Sequence, residues 1–418
     1  MKRFFKALAV LTLAVGALLF SEGFFGALPR GTYIDGVSVG GMSRTAAVAA
    51  VRRSRADFLR SQRLVVCAGG ERLVFRYPEF NFADDLAELV GGISRRGSYR
   101  SSVHVYLNGA REIVDSVCAR IDRAPVEPYA VFNASGEPFT YFDGGDGAVA
   151  DRAALLADID GSLNGGFGEV TVRVAPVARK KSMCGVKRET SLMYSFSTVY
   201  DPSNAPRSAN IALAASKING TVLASGEEFS FNRTVGERTA ANGFAAAKII
   251  SEGRFVEGVG GGVCQVSTTL YNAALLSGLR LTEYHPHSLR VGYVEASRDA
   301  MVSGTRCDLR FVNTRPTPVY IRMSASGGRL TCSVYGLGDG VERSFRSVVT
   351  GTIPQPADVV EEGGEEECVI SRGSPGTESC GYLVEVRGGV RTTRLVRRDR
   401  YAASPNVIRR PSVAGGCL

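Results

Sequence analysis

Gly258-Val259-Gly260-Gly261-Gly262-Val263-Cys264-Gln265-Val266-Ser267-Thr268-Thr269-Leu270-Tyr271-Asn272 is the stretch on which the reading of this chain turns. Three consecutive glycines leave the backbone free to take positive φ and let another molecule approach closely. From Ser267 to Ser277 the residues Leu270, Ala273 and Ala274 recur at helical spacing, and Gly278 supplies the stop. Cys264 therefore falls at or just before a helix N-terminus. Unsatisfied N–H groups and the positive end of the helix dipole favour a thiolate there. Backbone N–H groups near Gly261, Gly262 and Gln265 are in place to receive an oxyanion, which acyl transfer requires. The same pattern also serves plain packing, because cysteine is among the most buried residue types.

A nucleophilic cysteine wants a base. Of the three histidines in the chain, His285 and His287 lie just downstream of Cys264. Pro286 between them disrupts a regular strand, so one of the two is expected to face the helix start. Asp299 or Asp308 is the candidate carboxylate that orients the base. His104 stands alone in a strand-like run and is read as structural or as a surface residue.

Working outward, the pattern predicts an α+β protein. Tyr33–Val39 reads as a strand, and Ser43 opens an amphipathic helix through Phe58. Strand-like runs follow at Leu64–Cys67 and Leu73–Tyr77, then a helix over Asp84–Ile93, a strand at Val103–Leu107 and a helix at Glu112–Arg120. A second pass starts near Tyr129, with the turn Asp143–Gly147, a helix over Asp151–Asn164 and a strand at Glu169–Val174. The alternation suggests a duplicated small α+β unit over residues 30–190, without a cluster of nucleophiles or metal ligands. Residues 191–340 form a mixed α+β domain around the cysteine. Beyond them, 341–418 reads as a small β-rich, partly mobile tail, with strands at Tyr382–Val386 and Thr392–Val396.

Lys2, Arg3 and Lys6 precede the apolar run Ala7–Phe20. That run suits a signal-peptide h-region and, if extended through Leu28, a membrane anchor. Residues 1–29 are expected to act as an uncleaved signal anchor, with a cleaved signal peptide as the alternative; either exports the remainder. The net charge of +9 comes without a basic stripe or nucleic-acid module, so nucleic acid is not an expected partner. A diffuse positive surface suits an anionic wall or membrane. The nine cysteines show no C-x-x-C spacing, and neither metal nor cofactor is expected. Cys307 with Cys332, or Cys368 with Cys380, are candidate disulfide pairs in an oxidising compartment.

The cysteine block does not stand alone. Before it come Phe196–Tyr200, Asn210–Ala215, Gly226–Asn232 and Val235–Thr239; after it come His287-Ser288, Asp299–Val302 and Asp308–Asn313. This ordered series, over roughly residues 192–336, closely resembles the VanW family, named from vancomycin-resistance clusters. Residues 30–190 are similar, through Ile34–Met42, to the pair of peptidoglycan-binding domains that often precede VanW. The tail around Val384–Val407 is similar to a truncated G5-like module.

The resemblance implies an extracytoplasmic cell-wall protein acting on peptidoglycan stem peptides and glycan, membrane-held through its N-terminal segment. Some VanW-type domains are regarded as a distinct class of L,D-transpeptidases that use the domain's cysteine to make 3-3 cross-links. Carried over by motif, Cys264 is the nucleophile, His287 the base and Asp299 its aspartate. Arg238 is a candidate partner for the donor carboxylate, with Ser267 and His285 further candidates beside the substrate. Ser297 and Met301 stand where the usual motif has Gly and Thr, which puts the loop presenting Asp299 in question. The alternatives are a non-catalytic wall-binding accessory and a cysteine-dependent endopeptidase or carboxypeptidase on the same residues.

Overall fold

The computed structural model describes residues 26–251, 254–304, 306–363 and 366–411. Most of the predicted signal anchor thus lies outside the described residues. Among those described, no helix is long and apolar enough to cross a membrane. The contacts divide the chain into two units, residues up to Val126 with Gly144–Lys180, and Glu127–Asp143 with Lys181 onward.

In the first unit, the Ser43 hydroxyl accepts the Ala46 N–H and starts the helix Arg44–Arg60. Its Ala47 and Val51 meet Leu28, Ile34 and Val39 and the helix Leu86–Gly92 in a small core. A larger core lies between the strands Arg63–Ala68 and Glu71–Arg76 and the helices Ala110–Ala119 and Arg152–Gly165. Both helix-and-strand passes feed it: Glu169–Thr171 pairs in parallel with Val65–Cys67. The expected strand Tyr33–Val39 is broken into Tyr33–Ile34 and Val37–Ser38, because Asp35 and Gly36 both take positive φ in the turn between them. The helix expected from Asp84 begins at Leu86. Phe80–Asp84 is instead a strand, held in antiparallel register against Val103–Leu107.

The second unit is built on an antiparallel sheet in the order Ser191–Val199, Arg329–Gly336, Val319–Ser326, Thr221–Leu223. Tyr129–Phe132 and Phe139–Phe142 form a hairpin that belongs here. Its Phe132 and Phe139 rings lie against Tyr320, and Phe139 also meets Tyr335, on the sheet. The helices Ala205–Ile218 and Val263–Leu276 supply the core facing that sheet. In the second of these every residue except Cys264 is buried, so the helix runs through the centre of the unit and leaves one side chain half open. Val341–Ile353, Gly376–Arg387 and Val390–Tyr401 form a further antiparallel sheet. It puts Leu383 into the same core as the central helix, with Phe345 and Val396 packed on it.

Each of the eight described cysteines is a free thiol. Neither candidate disulfide forms. Cys332 is sealed within the core and Cys307 lies in a loop. Cys368 and Cys380 belong to different sheets.

Candidate functional site

The glycines before Cys264 are demanded by geometry. Gly260 and Gly262 take φ of +89° and +103°, in the left-handed region that disfavours side chains. A Cβ on Gly261 would stand 2.7 Å from the Lys248 carbonyl oxygen. Asn210, fully buried, ties the loop down: its Nδ2 donates to the carbonyls of Ala245 and Gly261. Gly262 then caps the helix Val263–Leu276, which places Cys264 in its first turn.

Cys264 Sγ donates to the Val302 carbonyl oxygen at 3.4 Å, and the His287 imidazole is near enough for each of the two to shift the other's titration. His287 Nδ1 donates to Asp299 Oδ2 at 2.7 Å, and the His287 backbone N–H donates to the same oxygen at 2.7 Å. That bond fixes the tautomer and leaves Nε2 for the sulfur. Asp299 Oδ1 accepts the Tyr401 hydroxyl at 2.5 Å, and the Asp299 carbonyl accepts Arg397 Nη1 at 2.7 Å. Side chains of His287 and Asp299 are 5% and 1% exposed, so this is a buried relay.

Burial pushes the Cys264 thiol towards neutrality, but the hydrogen bond and charge of His287, with the Arg238 charge, outweigh it and lower its pKa. His287 is moved the other way. Burial opposes its charge, yet bonds to Asp299 and Cys264 raise it to about 9. Asp299 is also desolvated, and His287, Arg397 and Tyr401 hold it below the ordinary carboxylate value. The opposed shifts favour a thiolate–imidazolium pair backed by a carboxylate.

The sulfur opens on a cleft of about 1010 Å³. Arg207, Arg238, Lys248 and Arg290 line it, against the carboxylate of Glu237. Arg238 gives Nη1 to the Gly236 carbonyl at 3.0 Å, while its buried Nη2 has no hydrogen-bond partner. An orphaned guanidinium nitrogen in a cationic cleft is a ready seat for a carboxylate.

The structure sorts the remaining candidates. Gly261 and Gly262 line the cleft. Gln265 lines it too, but its N–H goes to the Gly262 carbonyl and its side-chain donors to Val199 and Thr198. Its Oε1 holds Arg207 at 2.8 Å, a contact that sequence spacing did not suggest. Ser267 does not face substrate: its hydroxyl donates to the Cys264 and Ala300 carbonyls and so braces the loop that carries Asp299. His285 turns to Glu283 Oε1 at 3.0 Å and stays out of the cleft. Asp308 accepts from Ser230 and the Asn232 N–H at the start of a short helix, away from His287. Ser297 takes φ +59°, which accounts for glycine being usual at that position. Its N–H donates to Tyr401 and its hydroxyl pairs with Ser379. Tyr401 and Arg397 went unforeseen, as did Tyr293, a cleft-lining phenol whose pKa burial and the nearby thiolate push up.

Residues 206–335 match the family model described as VanW like protein. Among curated proteins, the chain is 40% identical over 159 residues to "Uncharacterized protein YoaR" of Bacillus subtilis (strain 168). That match covers 38% of this chain and 52% of the relative, so the chain spans about half the length of the curated relative it matches. Among solved structures, a likeness to the "Crystal structure of HP0197-G5" covers 17% of this chain and 96% of that one, at 12% identity and a TM-score of 0.11. That score carries no argument about the fold.

Proposed function

With a VanW-like domain at residues 206–335 as the premise, we propose that the chain is an exported cysteine acyltransferase of the cell wall, an L,D-transpeptidase using a thioester intermediate. The observation that carries the reading is the buried Cys264–His287–Asp299 relay opening on a cationic cleft. The Cys264 thiolate attacks the carbonyl of the third stem residue, forming a C–S bond. The C–N bond to the terminal D-alanine breaks, and the His287 imidazolium gives its proton to the departing amine. A side-chain amine of a second stem then attacks the thioester. His287 takes its proton, the 3-3 amide forms and the thiolate is restored.

Arg238 suits the carboxylate of the departing residue, since its Nη2 lacks a partner within the protein. The oxyanion falls to backbone N–H groups of the helix start. Those of Val263 and Gln265 donate to the carbonyls of Gly260 and Gly262, so the Cys264 N–H between them is the best-placed donor. Water in place of the second amine turns the same site into an L,D-carboxypeptidase. The reading also takes residues 30–190 as a wall-binding module and the N-terminal segment as the export signal or anchor.

Intact-mass spectrometry of the exported portion, with and without Cys264→Ala, after incubation with disaccharide-tetrapeptide tests this. The expected result is an acyl adduct or a 3-3 dimer that disappears with Cys264. A folded protein with reduced Cys264 that gives neither product, nor any loss of D-alanine, would reduce the site to a stem-peptide binder.

A further inference from the structure

We propose that Tyr401 is a positioning residue for the thiol relay, so that the hairpin Gly376–Tyr401 belongs to the catalytic apparatus although it lies outside residues 206–335. This rests on the reading of Cys264 as nucleophile, and not on the identity of its substrate. The two oxygens of Asp299 divide their work. Oδ2 receives both His287 protons, from the backbone and from Nδ1, and Oδ1 receives the Tyr401 hydroxyl. A carboxylate has a broad torsion about its last bond, so one anchored oxygen is what fixes the other against the imidazole. Tyr401 is 1% exposed, and at that depth its hydroxyl is the donor built in for Oδ1.

The rest of the hairpin grips the same loop. Tyr401 also accepts the Ser297 N–H at 2.8 Å, and Ser379 meets the Ser297 hydroxyl at 2.7 Å, holding a residue in a left-handed turn. Arg397 donates to the Asp299 carbonyl while its Nε binds Asp399 at 2.6 Å. The Ala402 N–H donates to the Ser288 carbonyl at 2.8 Å, next to His287. The hairpin therefore holds the loop on both sides of the His287–Asp299 bond. The charged and titratable groups that face the relay are Arg238, Tyr293 and Cys307 on the Cys264 side, and Arg397, Tyr401 and Asp399 on the Asp299 side.

The test is the rate of Cys264 alkylation by iodoacetamide against pH in the full chain, read from the Cys264 peptide by mass spectrometry. Without its Oδ1 anchor, Asp299 turns and loses its hold on His287, and the thiolate loses its partner. Tyr401→Phe is therefore expected to move the alkylation midpoint upward in the direction of Asp299→Asn, with about tenfold less thiolate per pH unit moved. Tyr284→Phe is the control. Its hydroxyl donates to the Val396 carbonyl of the same hairpin at 3.2 Å without touching Asp299, and its profile should overlay the wild type. A Tyr401→Phe profile that overlays wild type while Asp299→Asn is shifted overturns the proposal. So does an equal shift in Tyr284→Phe, which would mean a loosened hairpin. Should Tyr401→Phe fail to fold, Arg397→Lys removes the clamp on the Asp299 carbonyl and is expected to shift the same way; an unshifted profile there overturns the proposal equally. No substrate enters the assay. Shifted profiles with no turnover of tetrapeptide in the wild type would remove the acyl-transfer reading and leave the positioning role standing.

Discussion

Cys264, at the start of the central helix, and Cys332, in the middle of the central sheet, are the same side chain in one folded unit. Burial pushes both thiols towards the neutral form. At Cys332, whose neighbours include the core residues Leu330, Val334 and Met323, nothing opposes it, and the pKa stands far above the ordinary value. At Cys264 the His287 hydrogen bond and charge, with Arg238 behind them, reverse the sign. Reactivity here is therefore decided by what burial encloses together with the sulfur. A dry pocket strengthens a paired charge as surely as it forbids a lone one.

The largest way to break this contrast is to remove the partner. His287→Ala should make Cys264 resemble Cys332: burial would then be mostly unopposed, and the thiol would rise past its ordinary value. Iodoacetamide modification of Cys264 at pH 7 should slow on the order of 10²-fold, since each unit of pKa costs about tenfold in thiolate. His285→Ala should leave the rate near that of wild type, because His285 is engaged with Glu283 outside the cleft. Equal rates in His287→Ala and wild type would mean that the helix start alone sustains the thiolate.

A pH series sharpens the same contrast, and both partners have to be counted. His287, raised to about 9 from 6.5, keeps a proton in the folded chain that the unfolded chain has released. Its stabilisation is full below 6.5 and lost as pH climbs through 9. Cys264, lowered from 9.0, runs in the opposite sense: its stabilisation is full above 9.0 and lost as pH falls through the folded value. Below 9, wherever the Cys264 window overlaps that of His287, the two slopes oppose each other, so the urea midpoint of the wild type should fall less with rising pH than the His287 shift alone would dictate. Cys264→Ala removes that opposing slope together with the thiol's share of the His287 shift; the Asp299 bond still raises His287, so the midpoint of the variant should fall as pH rises above 6.5, over a narrower window. Acyl transfer itself should decline above about pH 9, where the imidazolium that protonates the leaving amine is lost. A wild type that falls as steeply as the variant would mean that folding does not lower the Cys264 pKa.

How much of this was legible in the chain follows from distance along it. The glycine run, the helix start and Cys264 are local features, and the backbone rules that read them are local too. His287 and Asp299 were reached through their motif blocks; residue type alone left His285 and Asp308 equally eligible. What separates the histidines is the direction each takes around Pro286, which no short-range pattern encodes. Ser267 was misjudged because its helix is buried on every side but one and so shows no polar stripe to mark the face that meets substrate. Tyr401 lies 102 residues from Asp299, past the expected strand Thr392–Val396 and beside a charged run that marks no site. Its meaning depends on how that hairpin docks, a tertiary fact with no local signature. One mistaken edge in the first unit has the same cause. Phe80–Asp84 is a strand because Val103–Leu107 lies beside it, whatever its own propensity.

The smallest effect expected is at Cys332 itself. Cys332→Ala removes one sulfur from the core facing the central helix, a loss comparable with deleting a buried methyl group and worth about 1 kcal/mol. The urea midpoint should drop accordingly. The Cys264 alkylation profile should not move, because Cys332 shares no hydrogen bond or charge with the relay. A shifted profile would show that the sheet centre and the helix start are coupled through the packing of the central helix. In that case the Cys264 environment would have to be read as a property of the whole core, and no longer of the few groups that touch the sulfur.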